Sequence, residues 1–193
     1  MSVSQDRAAL VEKQAEGYLD SMQMHVELDQ GLHRHLIFKK PDTMMGHFFL
    51  ATWPGYLTFG GDWEAYTFRR ENDMLRFFAG SRPNPDYWSE KLVSKRNAAE
   101  EHDADLARES ATQYIEECHP EHLDTWREWC EDATDGDGRG FADEIVRTFE
   151  VRGNRVFDEW YEFTGRTLEW HFLRACHFIQ FGANCYLRSG GAR

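Results

Sequence analysis

Two histidines flank an arginine in "His33-Arg34-His35". In an extended strand, residues two apart point to the same side, so both imidazoles share one sheet face. His25 and His47 lie on flanking segments. A histidine pair on a strand can ligate a metal, and zinc wants a third ligand and an oriented hydrogen-bonding shell. His33, His35 and His47 are therefore the candidate metal ligands. The competing reading is strand histidines bonded to their neighbours. "Cys118-His119-Pro120-Glu121-His122" also gathers ligand types, but Pro120 breaks it across a helix junction, where Glu121 complements the helix dipole. His171 and His177 are six apart, which is not one helical face. His177 shares a stripe with Leu173 and Phe181, as a core histidine does. Counted from Ala133, Asp135, Asp137, Gly138 and Glu144 match four positions of a calcium loop, but its first ligand must be acidic and here it is Ala133. No HExxH, paired CxxC, GxSxG, GxGxxG or GxxxxGK[ST] occurs, so neither a nucleophile elbow nor a phosphate cradle is legible. No cofactor is expected.

The elements that position these side chains follow from periodicity. Residues 5 to 22 read as an amphipathic helix, with Leu10, Val11, Ala15 and Tyr18 at helical spacing. From Met24 the period shortens to two. "MHVELDQGLHRHLIFKK" holds two runs parted by Asp29-Gln30-Gly31, a hairpin signal. "HFFLATWPGYLTFGGDWEAYTF", residues 47 to 68, adds three strands. Pro54-Gly55 suits a type II turn, and Gly60-Gly61-Asp62 a second turn. The expectation is a five-stranded antiparallel meander over about residues 24–70. Tyr56, Thr58 and Gly60 oppose Leu57 and Phe59, while Trp63, Ala65, Thr67 and Arg69 oppose Tyr66 and Phe68. Both faces carry rings. One should pack on helices; the other becomes the candidate binding surface, assigned to His33, His35, Trp53, Tyr56, Trp63 and Tyr66.

After Arg70 the pattern turns helical. "ENDMLRFFAG" is a short helix, and Asn84 caps another that opens with Pro85. Helices follow near 101–118 and 120–133, then a loop at 132–140. A helix then starts at Phe141 and ends at Gly153. The last helix, within "RTLEWHFLRACHFIQFGANCYLRS", is apolar on nearly every side and belongs inside a domain. The fold class is α+β, read as a single domain over residues 1–193 with a sheet part near 24–70 and a helical part near 72–188.

Charge is unevenly spread. The 193-residue chain carries a net charge of -12, yet between Asn97 and Glu150 there are 17 acidic residues against four basic ones. The candidate acidic surface comprises Glu100, Glu101, Asp103, Asp105, Glu116, Glu117, Glu128, Asp132, Asp135 and Asp137. Such a field repels nucleic acid and favours basic partners, although a solvated helical face explains the charge equally well. No run of about 20 apolar residues suggests a membrane span, the first residues lack an apolar signal core, and the four cysteines form no close pair. A cytoplasmic protein is expected.

The sheet region "HRHLIFKKPDTMMGHFFLATWPGYLTFGGDWEAYTFRRENDMLRFF" resembles a group of uncharacterised proteins encoded by tailed phages and prophages. In that group an H-R-H-L strand leads to T-W-P-G-x-L, a G-D turn, an aromatic strand and a DMxxFF helix. "FTGRTLEWHFLRACHFIQFGANCYL" is similar to the group's aromatic final helix. The resemblance covers about residues 32–95 and 157–187. It implies no activity and no catalytic residue; it implies a phage accessory gene expressed in a bacterial host cell. The functional expectation is a non-enzymatic accessory protein that binds and inhibits a host protein with a basic surface, in the manner of anti-defence or anti-CRISPR proteins, with the acidic segment as a candidate nucleic-acid-mimicking surface. Two alternatives stand beside it: a metal-dependent hydrolase using the sheet histidines, and a small-ligand or nucleotide sponge with an aromatic pocket. A homodimer would also hide an aromatic sheet face.

Overall fold

Burial alternates along the strands between His33 and Arg69, so this stretch has one face inward and one outward. The computed structural model describes residues 3–93, 99–131 and 136–190. They form two compact units, one of residues 5–99 with residues 168 onward, the other of residues 100–167. The fold is α+β: an N-terminal helix, a five-stranded antiparallel sheet, then helices.

In the first unit, α1 (Val3–Leu19) precedes β1 (Gln23–Gln30), β2 (His33–Lys39), β3 (Phe48–Trp53), β4 (Tyr56–Gly61) and β5 (Tyr66–Arg69). The strands pair in sequence order, each antiparallel to the next, with a bulge between Val26 and Leu28. Gly55 takes φ +84°, as the third position of a type II turn requires. Its N–H donates to the Asn72 carbonyl at 3.0 Å, fixing the β3–β4 turn to the chain beyond β5. On the inner face Leu36, Phe38, Phe48, Leu50, Leu57, Phe59, Tyr66 and Phe68 are buried. Each such large side chain contributes about 1.5–3 kcal/mol by leaving water.

That face packs on α7 (Trp170–Arg188) through Phe172, Cys176, Phe178 and Ile179. Gly182 sets the approach. A Cβ there would lie 2.6 Å from Leu50 Cδ1 and 3.0 Å from the Phe38 ring, so only glycine admits this helix so close to the sheet. From α1 come Val11, Ala15 and Leu19, while Leu10, expected on the same stripe, is 49% exposed. Asp73 caps α2 (Met74–Phe78), and Asn84 caps α3 (Pro85–Ser89) with proline at the first helical position.

The second unit holds β6 (Glu100–His102), α4 (Ala104–Cys118), a 3-10 turn at Pro120–His122, α5 (Leu123–Glu131) and α6 (Gly138–Phe141), which continues as a π-helical turn over Ala142–Val146. Its core is Ala107, Ala111, Ile115, Trp126, Phe141, Val146, Phe149 and Phe157. The helix expected to reach Gly153 stops at Val146. Arg152 and Gly153 both have positive φ, +53° and +78°, and turn β7 (Glu150–Val151) back onto β8 (Asn154–Arg155) as a tight hairpin. The last helix likewise begins later than its apolar pattern. Arg166–Leu168 forms β9, which pairs with β6, and Glu169 caps α7 by accepting from Phe172 N–H at 2.8 Å.

Candidate functional site

The sheet register decides which side chains share the outer face. His25, Ile37, Phe49 and Gly60 form one row across the strands; Leu28, His35, Ala51, Thr58 and Thr67 form the next; Trp53, Tyr56 and Arg69 form a third at the hairpin end. His33, paired with Gln30, ends β2 on this side. The contacts run across the strands, as cross-strand pairs do. The His35 ring meets Phe49 edge-on at 5.6 Å. Phe49 lies across Gly60, where a Cβ would come within 2.8 Å of its ring. Thr58 and Thr67 share a hydroxyl–hydroxyl hydrogen bond of 3.0 Å. Trp53 stacks on Tyr56 at 5.2 Å and 16°, and the Arg69 guanidinium sits 5.4 Å over the Tyr56 ring.

This face carries rings, imidazoles, Lys39 and Arg69. None of its outward strand positions from β2 to β5 is Asp or Glu, in a chain of net charge -12. Trp53 and Leu28 are 38% and 39% exposed. Part of their apolar surface is left uncovered by the described residues of this unit.

Not all the expected residues belong there. Arg34, between the two histidines, points the other way and is buried: its Nη1 and Nη2 donate to Asp73 at 2.8 and 3.1 Å, and its guanidinium lies 5.0 Å over Tyr186. Burial alone would lower the Arg34 pKa, but the Asp73 hydrogen bonds and charge prevail and raise it. Tyr66, expected with Trp53, lies on the inner face at 2% exposure and donates to Glu169 at 3.2 Å. Burial, with Glu169 beside it, pushes its phenol pKa up. The reason is register: Tyr66 pairs with Phe59, an inward residue. Trp63 precedes β5 and packs on the helix side, against Tyr18 at 5.4 Å and Phe178 at 5.8 Å, with the Arg174 guanidinium 4.0 Å over its ring. The structure thus brings together His33, His35, Trp53 and Tyr56, and separates Trp63 and Tyr66 from them.

His47 is not with the other two candidate metal ligands. It sits just before Phe48, which pairs with Phe38, at the strand end opposite His33. Its Nδ1 lies 3.0 Å from the Met44 carbonyl and 3.2 Å from Asp62 Oδ1. Asp62 Oδ2 also accepts the Gly46 N–H at 2.6 Å, and these bonds, Gly46 first, hold its carboxyl below the usual range. The Gly-Asp turn is therefore a clasp on residues 44–47, a role that the turn motif alone did not reveal. Among the described residues no three His, Cys, Asp or Glu side chains converge as a metal site needs.

The acidic candidates divide as well. Asp103 caps α4, accepting the Asp105 and Leu106 N–H groups at 2.9 and 3.0 Å, and Asp137 caps α6 through Gly140 N–H at 2.8 Å. Glu100 is paired to Arg166, Glu116 to Arg127 at 3.6 Å, and Glu117 accepts from Gln113 at 2.8 Å. Asp105 and Glu128 are exposed, and Glu101 is half-buried. Asp132 and Asp135, and with them the test of a calcium loop, lie outside the described residues. The helix caps explain two acids structurally; Asp105, Glu116, Glu117 and Glu128 remain as an exposed acidic set on α4 and α5.

No family model matches the chain, and no curated protein or solved structure matches it. Among the described residues no helix is long and apolar enough to cross a membrane.

Proposed function

We propose that this is a non-enzymatic phage accessory protein that binds and inhibits a host protein in the bacterial cytoplasm, with the open sheet face as its contact surface. The observation that supports this reading is the outer face itself: a His35–Phe49 pair and a Trp53–Tyr56 stack on a surface with no Asp or Glu at the outward positions of β2 to β5. Rigid aromatic side chains beside an arginine are the groups that dominate protein–protein binding energy. The exposed acids of α4 and α5 disfavour nucleic acid and favour a partner that carries basic surface. The phage setting rests on the sequence resemblance alone.

The test is capture from host extract with the wild type, a Trp53→Ala/Tyr56→Ala variant and a Glu116→Gln/Glu117→Gln/Glu128→Gln variant, each first checked for an unchanged far-ultraviolet spectrum. A one-to-one partner is expected with the wild type, lost with the first variant and weakened with the second. A partner held equally by all three overturns the reading. One observation favours a second reading, a nucleotide-binding sponge: the Trp53–Tyr56 stack with Arg69 upon it is a surface on which bases stack. Quenching of Trp53 fluorescence by AMP, absent in Trp53→Ala, would move the assignment there.

A further inference from the structure

α7 is apolar nearly all round, so a glutamine in its middle needs a reason. Gln180 is 9% exposed, and its Nε2 is buried with no hydrogen-bond partner among the described residues. A buried amide donor left unmade costs about 1–3 kcal/mol, which a ligand acceptor would recover. Gln180 lines a groove of about 500 Å³ between α1, α7 and the segment after α2, a volume typical of small-molecule sites.

The groove is lined by charges of both signs. Glu12 and Glu16, one helical turn apart on α1, face His177 closely enough to act on it electrostatically. Burial outweighs them and holds the His177 pKa below its ordinary value, so this end carries two carboxylates beside an imidazole kept from charging. The other end holds Asn184, whose amide is fixed to Gly80 through bonds of 3.2 and 2.9 Å, with Arg82 and Arg188 alongside. Gln180 stands between the ends. From His177 to Asn184 is seven residues of α7, about 10 Å at 1.5 Å per residue. Asp20 adds a third carboxylate to the groove's α1 wall, so its overall charge is negative and a simple cation is the competing occupant.

We infer that this groove binds a small zwitterion of amino-acid type, its ammonium at Glu12 and Glu16 and its carboxylate accepting from Gln180 Nε2 beside Arg82 and Arg188. This site is separate from the open sheet face and does not depend on the function proposed for that face. Two opposite charges joined by a short chain match the two ends, and the ligand carboxylate supplies an acceptor for Gln180 Nε2.

The probe is 6-aminohexanoate, which has one charge at each end, titrated into the full chain by calorimetry. Hexylamine and hexanoate serve as single-charge controls. Saturable binding of the zwitterion is expected, at least tenfold tighter than either control, and weakened at least tenfold in Glu12→Gln/Glu16→Gln and in Gln180→Leu. Gln180→Leu keeps the shape and removes the orphan donor, so without ligand its melting temperature should equal or exceed that of the wild type. Hexylamine binding as tightly as 6-aminohexanoate, an unaltered affinity in Gln180→Leu, or no saturable binding by the wild type would each overturn the proposal. A lowered melting temperature in Gln180→Leu would do the same, because the amide would then have a partner within the protein.

Discussion

Arg34 and Asp73 are the residues whose loss should be felt most in the sheet unit. Arg34 is 2% exposed, bonded twice to Asp73, and stacked on Tyr186, whose hydroxyl donates to Asp29 at 2.7 Å. Removing one partner leaves the other charge buried and unpaired, at a cost of about 3–5 kcal/mol. Asp73→Ala should therefore lower stability in urea by about that amount, with some of it from the lost α2 cap. The pair also gives a pH dependence. Burial would raise the Asp73 pKa, but hydrogen bonds and charge from Arg34 outweigh it, so the carboxyl titrates below its ordinary value of 3.8. A depressed native pKa means that the unfolded chain binds the proton more readily. This stabilisation is present above pH 3.8 and is lost as the pH falls below it. Urea midpoints measured from pH 5 down to pH 2.5 should fall more steeply for the wild type than for Asp73→Asn.

At the scale of elements, the contact of α7 with the sheet depends on Gly182. Gly182→Ala gains helix propensity of about 1 kcal/mol but drives a methyl into Leu50 and Phe38, and overpacking of this kind costs about 1–3 kcal/mol. Net destabilisation in chemical denaturation is expected, and Gly182→Val should be worse. The outer face behaves differently. Trp53→Ala/Tyr56→Ala removes partly exposed rings and should shift the thermal midpoint little, while abolishing partner binding. Much of this architecture was legible in the sequence. Alternation located five strands, Pro54-Gly55 gave the turn, and Asn84-Pro85 gave the start of α3. Alternation also sorted Tyr56 from Leu57 and Phe59. It did not say which face the helices cover, because both faces carry rings, and so Tyr66 and Trp63 were grouped with Trp53. Nor did it mark Arg34 as a core residue, since its salt-bridge partner lies 39 positions away. The β6–β9 pair and the β7–β8 hairpin are too short to print a period. Gln180 is a polar residue in an apolar helix that the periodicity passes over, and the acids of α1 that share its groove meet it only in three dimensions.

For the whole molecule, two hydrophobic cores divide the chain, and each has its own large buried rings. Trp126 anchors the second: it is fully buried, and its Nε1 donates to Thr112 at 2.9 Å. Trp126→Ala should cost about 3–5 kcal/mol and speed amide exchange along α4 and α5. Charge is distributed just as unevenly, with exposed carboxylates on α4 and α5 and none on the outward positions of β2 to β5. A basic partner steered by the exposed carboxylates should associate more slowly as salt rises, while the aromatic contact holds its dissociation rate nearly constant. The most direct test of the sheet face as the binding surface is hydroxyl-radical footprinting of the protein, free and bound to its captured host partner. Trp53 and Tyr56 should become protected on binding while Trp63, on the helix side, keeps its free reactivity. Equal oxidation of Trp53 and Tyr56 in the free and bound protein would contradict the account.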